Sequence, residues 1–460
     1  MNKNSLTTHT EQNIRYDLIV VGGGASGMMA AGRASSRGLR VLLLEKNKRV
    51  GEKLRITGGG RCNILNTEED ERVLLKKYGK AEQALYSIFD QFGVKKSTDF
   101  FMSLGMKLVV ENAKRAFPST FRAEDVVTVL EEYMKKSGVE ISYNSPVTKV
   151  TTHSGMISSV ISGKREFFAH EYIFATGSVS HPETGSTGDG FTWLRTLGHT
   201  IKDPTPTIVP LSVQETWVKE LAGVSLDGMK ITFFVDGKKE LSLVGRVLFT
   251  HFGLSGPLIL NNAHKVADLL HMGVVTATID MSAHNDFSIL EKEVMTVFDA
   301  NKNKVFKNII KDIVPGGMHK GVITLLSQYL DVSTKVHSIT KEERKKIIHL
   351  LKALPLTIEG LMGFDRAVVA DGGVPLEEID MKTMRSKKVS NLLVTGDLLH
   401  INRPSGGYSL QLCWTTGYVA GDFAMSKITS FQPENDVNNS VSKITSFQPE
   451  NDVNSSVSKL

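Results

Sequence analysis

The chain has 460 residues, 41% of them apolar and 23% charged, with a net charge of +6 and only two cysteines. That length exceeds one ordinary hydrophobic core and predicts two or three domains of a globular protein. Lys and Arg are scattered among acids, as in KEERKKIIHLLK at 341–352, so no concentrated basic stripe is present and no nucleic-acid partner is expected.

Cys62 and Cys413 stand far apart with no C-x-x-C, which excludes a disulfide framework or a cysteine-based zinc site and points to the cytoplasm. Residues 1–15, MNKNSLTTHTEQNIR, are polar and lack the apolar stretch of a secretory leader, so they are read as an extension. No apolar run reaches bilayer length, and no membrane partner is expected.

The chain then reads as strand, turn, helix, strand. YDLIVVGGG at 16–24 is an apolar run ending in glycines, SGMMAAGRASSRG at 26–38 is helix-forming, and RVLLLEK at 40–46 is a second buried strand ending in an acid. Gly22-x-Gly24-x-x-Gly27 occupies the turn, and Glu45 lies 18 residues past Gly27. Gly22 permits the tight turn, Gly24 lets a pyrophosphate approach the backbone, and Gly27 lets helix and strand pack closely. The helix N-terminus offers free N–H groups, and Glu45 can accept hydrogen bonds from a ribose. An acid there disfavours a 2′-phosphate, leaving NAD or FAD.

The next glycine stretch bears on that choice. RITGGGRCNILN at 55–66 follows the second strand, on the same carboxyl edge as the first turn. Gly58, Gly59 and Gly60 have no side chain to bury, and their amides are placed to line a long ligand, with Lys53 and Arg61 supplying positive charge. A clamp of that kind suits a ligand with a tricyclic ring.

EYIFATG at 171–177 and NLLVTGD at 391–397 are apolar runs that stop in Thr-Gly, as buried parallel strands do where ligands sit at their carboxyl ends. Between them the texture changes. Residues 201–285 alternate like strands, with Asp236-Gly237 as a hairpin signal. Residues 286–352 have helical spacing, with Thr340 as a cap and Glu343 three residues on. An insert thus interrupts a doubly wound sheet: residues 16–200 and 364–425 form one domain, 201–285 and 353–363 a β-rich domain, and 286–352 a helical subdomain.

A third glycine clamp, Gly406-Gly407, opens a small-residue helix, and Asp397 follows a strand end. Past it, residues 426–441 recur at 442–457 with one difference in 16 positions, so 426–460 is read as a disordered duplicated tail. Its final Ser458-Lys459-Leu460 matches a peroxisomal address. Each repeat begins Ser-Lys-Ile, however, so the start of a third copy is the expected reading.

The blocks DLIVVGGGASGMMAA, GEKLRITGGGRCNILN, AFPST, ATGSVSHPETGSTGDGF, LFTHFGLSGP, VVADGGV and TGDLLHINRPSGGY together resemble the FAD-dependent oxidoreductases known as NAD(FAD)-utilizing dehydrogenases or aminoacetone-oxidase-like flavoproteins. The resemblance runs from about Tyr16 to Ala424. It implies an α/β fold: a glutathione-reductase-like FAD-binding Rossmann domain interrupted by a β-rich domain and a helical domain. It places FAD phosphate and ribose contacts on Gly22, Gly23, Gly24, Ala25, Ser26, Gly27, Glu45, Lys46 and Lys53. Flavin-side contacts fall on Thr57, Gly58, Gly59, Gly60, Arg61, Cys62 and Asn63. Val147 would hold the adenine, Ala175, Thr176 and Gly177 cover the nucleotide, and Gly396, Asp397, Gly406, Gly407 and Tyr408 close the other end. One departure stands out: the family's usual Gly-Glu-Val-Leu-Asp reads Gly396-Asp397-Leu398-Leu399-His400 here.

Cys62 lacks a partner thiol and is read as packing, and Cys413 as core. His251, between phenylalanines and before a Gly/Ser turn, is the candidate catalytic base; a core histidine holding that turn is the other reading. His400 and Tyr408 are weaker candidates, and His181 is read as shaping a turn. No metal spacing is found. The expected function is FAD-dependent oxidation of a small amine or amino ketone, or NAD(P)H-linked reduction of an organic acceptor. No second GxGxxG exists, which favours oxidase-type or ene-reductase-type turnover, with NAD(P)H as a transient donor in the latter. An RNA-modifying flavoprotein and a non-catalytic redox sensor are the alternatives.

Overall fold

The computed structural model describes residues 15–281 and 286–426; the duplicated tail, its terminal Ser-Lys-Leu and nearly all of the N-terminal extension lie outside the described residues. Five parallel strands build the centre. Strands β1 (Arg15–Val21), β2 (Val41–Leu44), β3 (Glu140–Ser142), β4 (Arg165–Phe174) and β5 (Leu392–Val394) pair in parallel in the order β5-β4-β1-β2-β3. β2 and β5 are buried throughout, as parallel strands covered on both faces must be.

The ladders continue past the strand ends. Gly22 N–H donates to Leu44 O (2.9 Å), Ala175 N–H to Val21 O (2.9 Å) and Thr395 N–H to Phe174 O (3.1 Å). Three chain segments therefore leave the same sheet edge side by side. Helix α1 (Ala25–Ser36) rises from the first. It packs on α2 (Tyr408–Phe423), the last helix before the tail, so tightly that a Cβ at Gly417 would meet Ser26 O at 2.4 Å and one at Gly421 would meet Ala30 O at 2.4 Å. Small residues on both helices permit this backbone-to-backbone contact.

The interrupting segment closes into a six-stranded antiparallel barrel, in the order 211–213, 253–255, 238–250, 225–235, 275–280 and 354–361. Asp236 and Gly237 both have positive φ (+48° and +82°), the twist a two-residue hairpin needs. Helices Phe287–Ala300, His319–Leu326 and Lys341–Lys352 pack with the barrel in a core separate from that of the parallel sheet. Thr340 and Glu343 form a reciprocal capping box at the start of the last one.

One stretch departs from the β-rich reading. Lys202–Ile208 joins no barrel strand; it pairs antiparallel with Val369–Gly373 as a two-stranded ribbon where the chain enters and leaves the insert. Among the described residues, no helix is long and apolar enough to cross a membrane.

Candidate active site

The sheet edge carries a long cleft. One end is lined by Asn47, Ser145 and Val147, the middle by Gly22, Gly23, Gly24, Ala25, Ser26 and Glu45 together with Ala175, Thr176 and Gly177, and the far end by Lys53, Thr57, Asp397, Ser409 and Leu410. The glycines divide by physical reason. A Cβ at Gly22 would meet Ala175 O at 2.6 Å and one at Gly27 would meet Gly22 O at 1.9 Å, so both are demanded by packing. A Cβ at Gly24 would meet nothing within 4 Å, so the space beside it is open cleft.

Glu45 is buried, and its carboxylate accepts from Gly23 N–H (2.7 Å) and Asn47 N–H (2.8 Å). Burial raises its pKa, while these two N–H groups oppose the shift. Two donors leave carboxylate lone pairs for a ribose. Lys46 lines the cleft, but its ammonium is taken by Asp189 (2.8 Å) and Thr187 (2.6 Å). Lys53 is half-buried at the far end, where it donates to Ser180 Oγ (3.1 Å) and has no ion-pair partner among the described residues; desolvation lowers its pKa.

A second cleft, of about 2190 Å³, opens from that end between the parallel sheet and the barrel. Lys53, Thr57, Val368, Ser409 and Leu410 line both. Gly58, Gly59, Arg61, Asn63, Gly406, Gly407 and Tyr408 line the second alone. The triple glycine is a run of left-handed residues, with φ of +58°, +68° and +84°, which side-chain-bearing residues avoid. A Cβ at Gly59 would meet nothing within 4 Å, so its backbone faces open cleft.

The asparagines of RCNILN have a separate task. Asn63, with its amide oriented to satisfy its neighbours, accepts from Gly407 N–H (2.9 Å), and Asn66 donates to Gly406 O (3.1 Å). The strand between them runs so close that a Cβ at Gly407 would meet Leu65 C at 2.4 Å. The triple glycine thus approaches the cleft, and the chain just after it approaches the third clamp at the start of α2.

Several expected contacts lie elsewhere. Cys62 is fully buried and lines neither cleft; burial pushes its thiol up to about 12, and its backbone takes a left-handed φ of +58° to finish the turn. Gly60 also lines neither cleft, and Gly396 is glycine because a Cβ would meet Ser26 Oγ at 2.7 Å. His251, the candidate catalytic base, is exposed at the turn between strands 238–250 and 253–255, beside Phe252, and lines neither cleft, so the fold does not bring it to the site. FTHFGLSGP folds as a tight reversal that leaves the imidazole at its tip.

Other residues at the site carry no clear sequence signal. Arg403 is buried, donating to Ser409 Oγ (3.0 Å) and Ile401 O (2.6 Å) and pairing with Asp397. Only the folded contact of NRPSGG with the strand-end acid reveals it. His181, with a left-handed φ of +51°, pairs with Glu183 (2.8 Å) and does shape a turn, yet also lines the second cleft.

The sequence profile described as HI0933-like protein Rossmann domain matches residues 16–423. The chain belongs to the HI0933-like family. It is an enzyme, an FAD-dependent oxidoreductase. The cleft fits that cofactor on its own terms: a groove along the Gly22–Gly27 turn, two helix N-termini facing it, an open face at Gly24 and a lysine without an ion-pair partner among the described residues. Family relatives include a 3-dehydro-bile acid delta(4,6)-reductase of Clostridium scindens, 28% identical over 89% of this chain and 98% of that protein. A ribosomal RNA dihydrouridine synthase of Haemophilus influenzae is 26% identical over 87% and 96%. Among solved structures, a 3-ketosteroid-delta4-(5alpha)-dehydrogenase from Rhodococcus jostii RHA1 shares the fold, with a TM-score of 0.51, 15% identity and coverage of 92% of this chain and 99% of that one.

Proposed function

We propose that this chain reduces a carbon–carbon double bond conjugated to a carbonyl in a small organic acceptor, with NAD(P)H as donor. The observation that carries this reading is the charge of the second cleft. Lys53, Arg61, Lys77, Arg115 and Arg246 line it, and no carboxylate does. Glu111 pairs with Arg61 and Arg115, and Asp227 with Arg246, from outside the lining, while Lys53 and Lys77 have no ion-pair partner among the described residues. A protonated amine would meet those two like charges, whereas a carbonyl oxygen or an anion would be held. This argues against the aminoacetone-oxidase-like assignment. The names of both relatives describe gain of hydrogen across a double bond, which agrees.

Gly22, Gly24, Ser26, Glu45, Val147 and Gly177 would hold the dinucleotide, and Lys53, Thr57, Ser409 and Leu410 its ring end. Bound FAD supplies a reversible two-electron store between donor and acceptor. The overall balance is NAD(P)H plus a proton plus acceptor, giving NAD(P)⁺ and the dihydro product. Lys53, which lines both clefts, would hold the acceptor's carbonyl oxygen and polarise the double bond. Tyr408, whose pKa burial raises, keeps its proton at neutral pH and is the candidate acid at the neighbouring carbon.

A second reading, reduction of uridine in RNA, is supported by the 26% relative, which aligns over nearly the whole chain. The test is anaerobic. The yellow protein, which should release FAD and not FMN on denaturation, is mixed with NADPH or NADH, then with a 3-oxo-4-ene steroid or a ribosomal RNA fragment. A product heavier by two hydrogens identifies the acceptor class. Turnover of an amine with dioxygen, without bleaching by either nicotinamide, would overturn the proposal.

A further inference from the structure

The second cleft does not end at the barrel. It continues, through walls shared at Lys77, Ile208, Leu260, Asn261 and Pro404, into a vestibule of about 1610 Å³. The vestibule draws its lining from the segment Lys76–Ala81, the ribbon strand Lys202–Ile208, the helix Ala263–Leu270 and the segments 371–377 and 400–404. Lys76, Lys77, Lys80 and Lys202 are exposed on it, and none has an ion-pair partner among the described residues. His264 adds a fifth basic side chain, and Arg403 lies in its wall. The carboxylates that line it are Asp371 and Glu377. Asp371 is placed 3.2 Å from His400 Nδ1, so its charge is directed at that ring. Lysines gathered round a concavity, with acids too few to balance them, are an anion site.

We propose that this vestibule binds the phosphates of NADPH, the nicotinamide reaching the second cleft that the acceptor also uses. The proposal rests on the reductase reading above. A chain with one dinucleotide fold has no second Rossmann turn for a nicotinamide donor, so the donor must enter by another route. The vestibule is contiguous with the ring end of the first cleft through the second, and Ile208, Leu260 and Pro404 give the passage an apolar wall for a planar ring. Four unpaired lysines favour the donor with the extra 2′-phosphate over NADH. Since donor and acceptor share one passage, each must leave before the other enters, and the kinetics are ping-pong.

The test uses the FAD-loaded full chain and the triple variant Lys76→Ala/Lys80→Ala/Lys202→Ala, with FAD content and melting temperature confirming that the variant folds. Calorimetric binding of 2′,5′-ADP, a probe that cannot be turned over, should weaken by about tenfold in the variant. The preference for NADPH over NADH in kcat/KM should fall by a similar factor, and the NADPH KM of the wild type should rise with salt more steeply than that for NADH. Wild type that neither nicotinamide reduces would refute the reductase reading itself. Wild type reduced by NADPH, with 2′,5′-ADP affinity unchanged in the variant, would refute the vestibule alone. So would loss of binding to a ribosomal RNA fragment in the variant with NADPH preference intact, since the lysines would then serve a polynucleotide.

Discussion

The two glycine turns at the sheet edge look alike on paper and differ in what they require. In Gly22–Gly27 the glycines at both ends are wedged against backbone, with less than 3 Å available for a Cβ, and only Gly24 faces open space. In Gly58–Gly60 the need is mainly conformational: all three are left-handed, a Cβ at Gly59 or Gly60 meets nothing, and only one at Gly58 would also meet backbone, Asn63 N at 2.9 Å. Packing dominates in the first turn, though Gly22 also has a positive φ of +105°, and backbone dihedral dominates in the second. A glycine-rich stretch is therefore not one kind of evolutionary statement; the space around each Cβ separates fold from ligand.

That contrast is easiest to break at its extreme. Gly27→Ala places a methyl group 1.9 Å from Gly22 O, on backbone that cannot yield, and should cost about 3 kcal/mol or leave no folded protein. Thermal unfolding of the purified variant checks this, and an unchanged melting temperature would contradict the packing argument. Gly24→Val should behave oppositely. Its side chain enters open cleft, so the apoprotein should melt as wild type does while FAD affinity falls by about tenfold or more, read by fluorescence titration.

The second turn sharpens the distinction. Gly59→Val and Gly60→Val should each lose about 1–2 kcal/mol from a side chain in left-handed backbone. Only Gly59, which lines the second cleft, should also weaken ring-end binding or raise the acceptor KM. Equal effects of the two on ligand affinity would mean that the turn acts as one rigid unit. The smallest effect belongs to Cys62→Ser. The thiol is buried, held protonated and away from both clefts, so FAD content and kcat should stay near wild type, with a modest loss of stability. Abolished turnover in a folded, yellow Cys62→Ser protein would restore the thiol to the chemistry.

Features written in a few adjacent residues were legible without coordinates. The Thr-Gly endings of EYIFATG and NLLVTGD marked β4 and β5, which do pair in parallel, with Val394 opposite Phe174. The Asp236-Gly237 hairpin and the Thr340–Glu343 box depend on dihedrals and hydrogen bonds spanning two to four residues. The Gly22–Gly27 fingerprint is of the same kind, since each glycine answers to its own strand, turn and helix.

What escaped that reading depends on partners distant in the chain. Lys202–Ile208 alternates like a barrel strand, and only its pairing with Val369–Gly373 makes it a ribbon. His251 sits in a sequence that suits a site, and only the register of strands 238–250 and 253–255 leaves it at an exposed tip. Arg403 gains its role from Asp397 and Ser409, and the two asparagines of RCNILN from glycines more than three hundred residues later. Local chemistry set the strands, turns and caps, because those energies are decided within one turn of chain. The clefts and their lysines were decided by tertiary contact, because a cavity exists only where separate segments fail to fill the space between them.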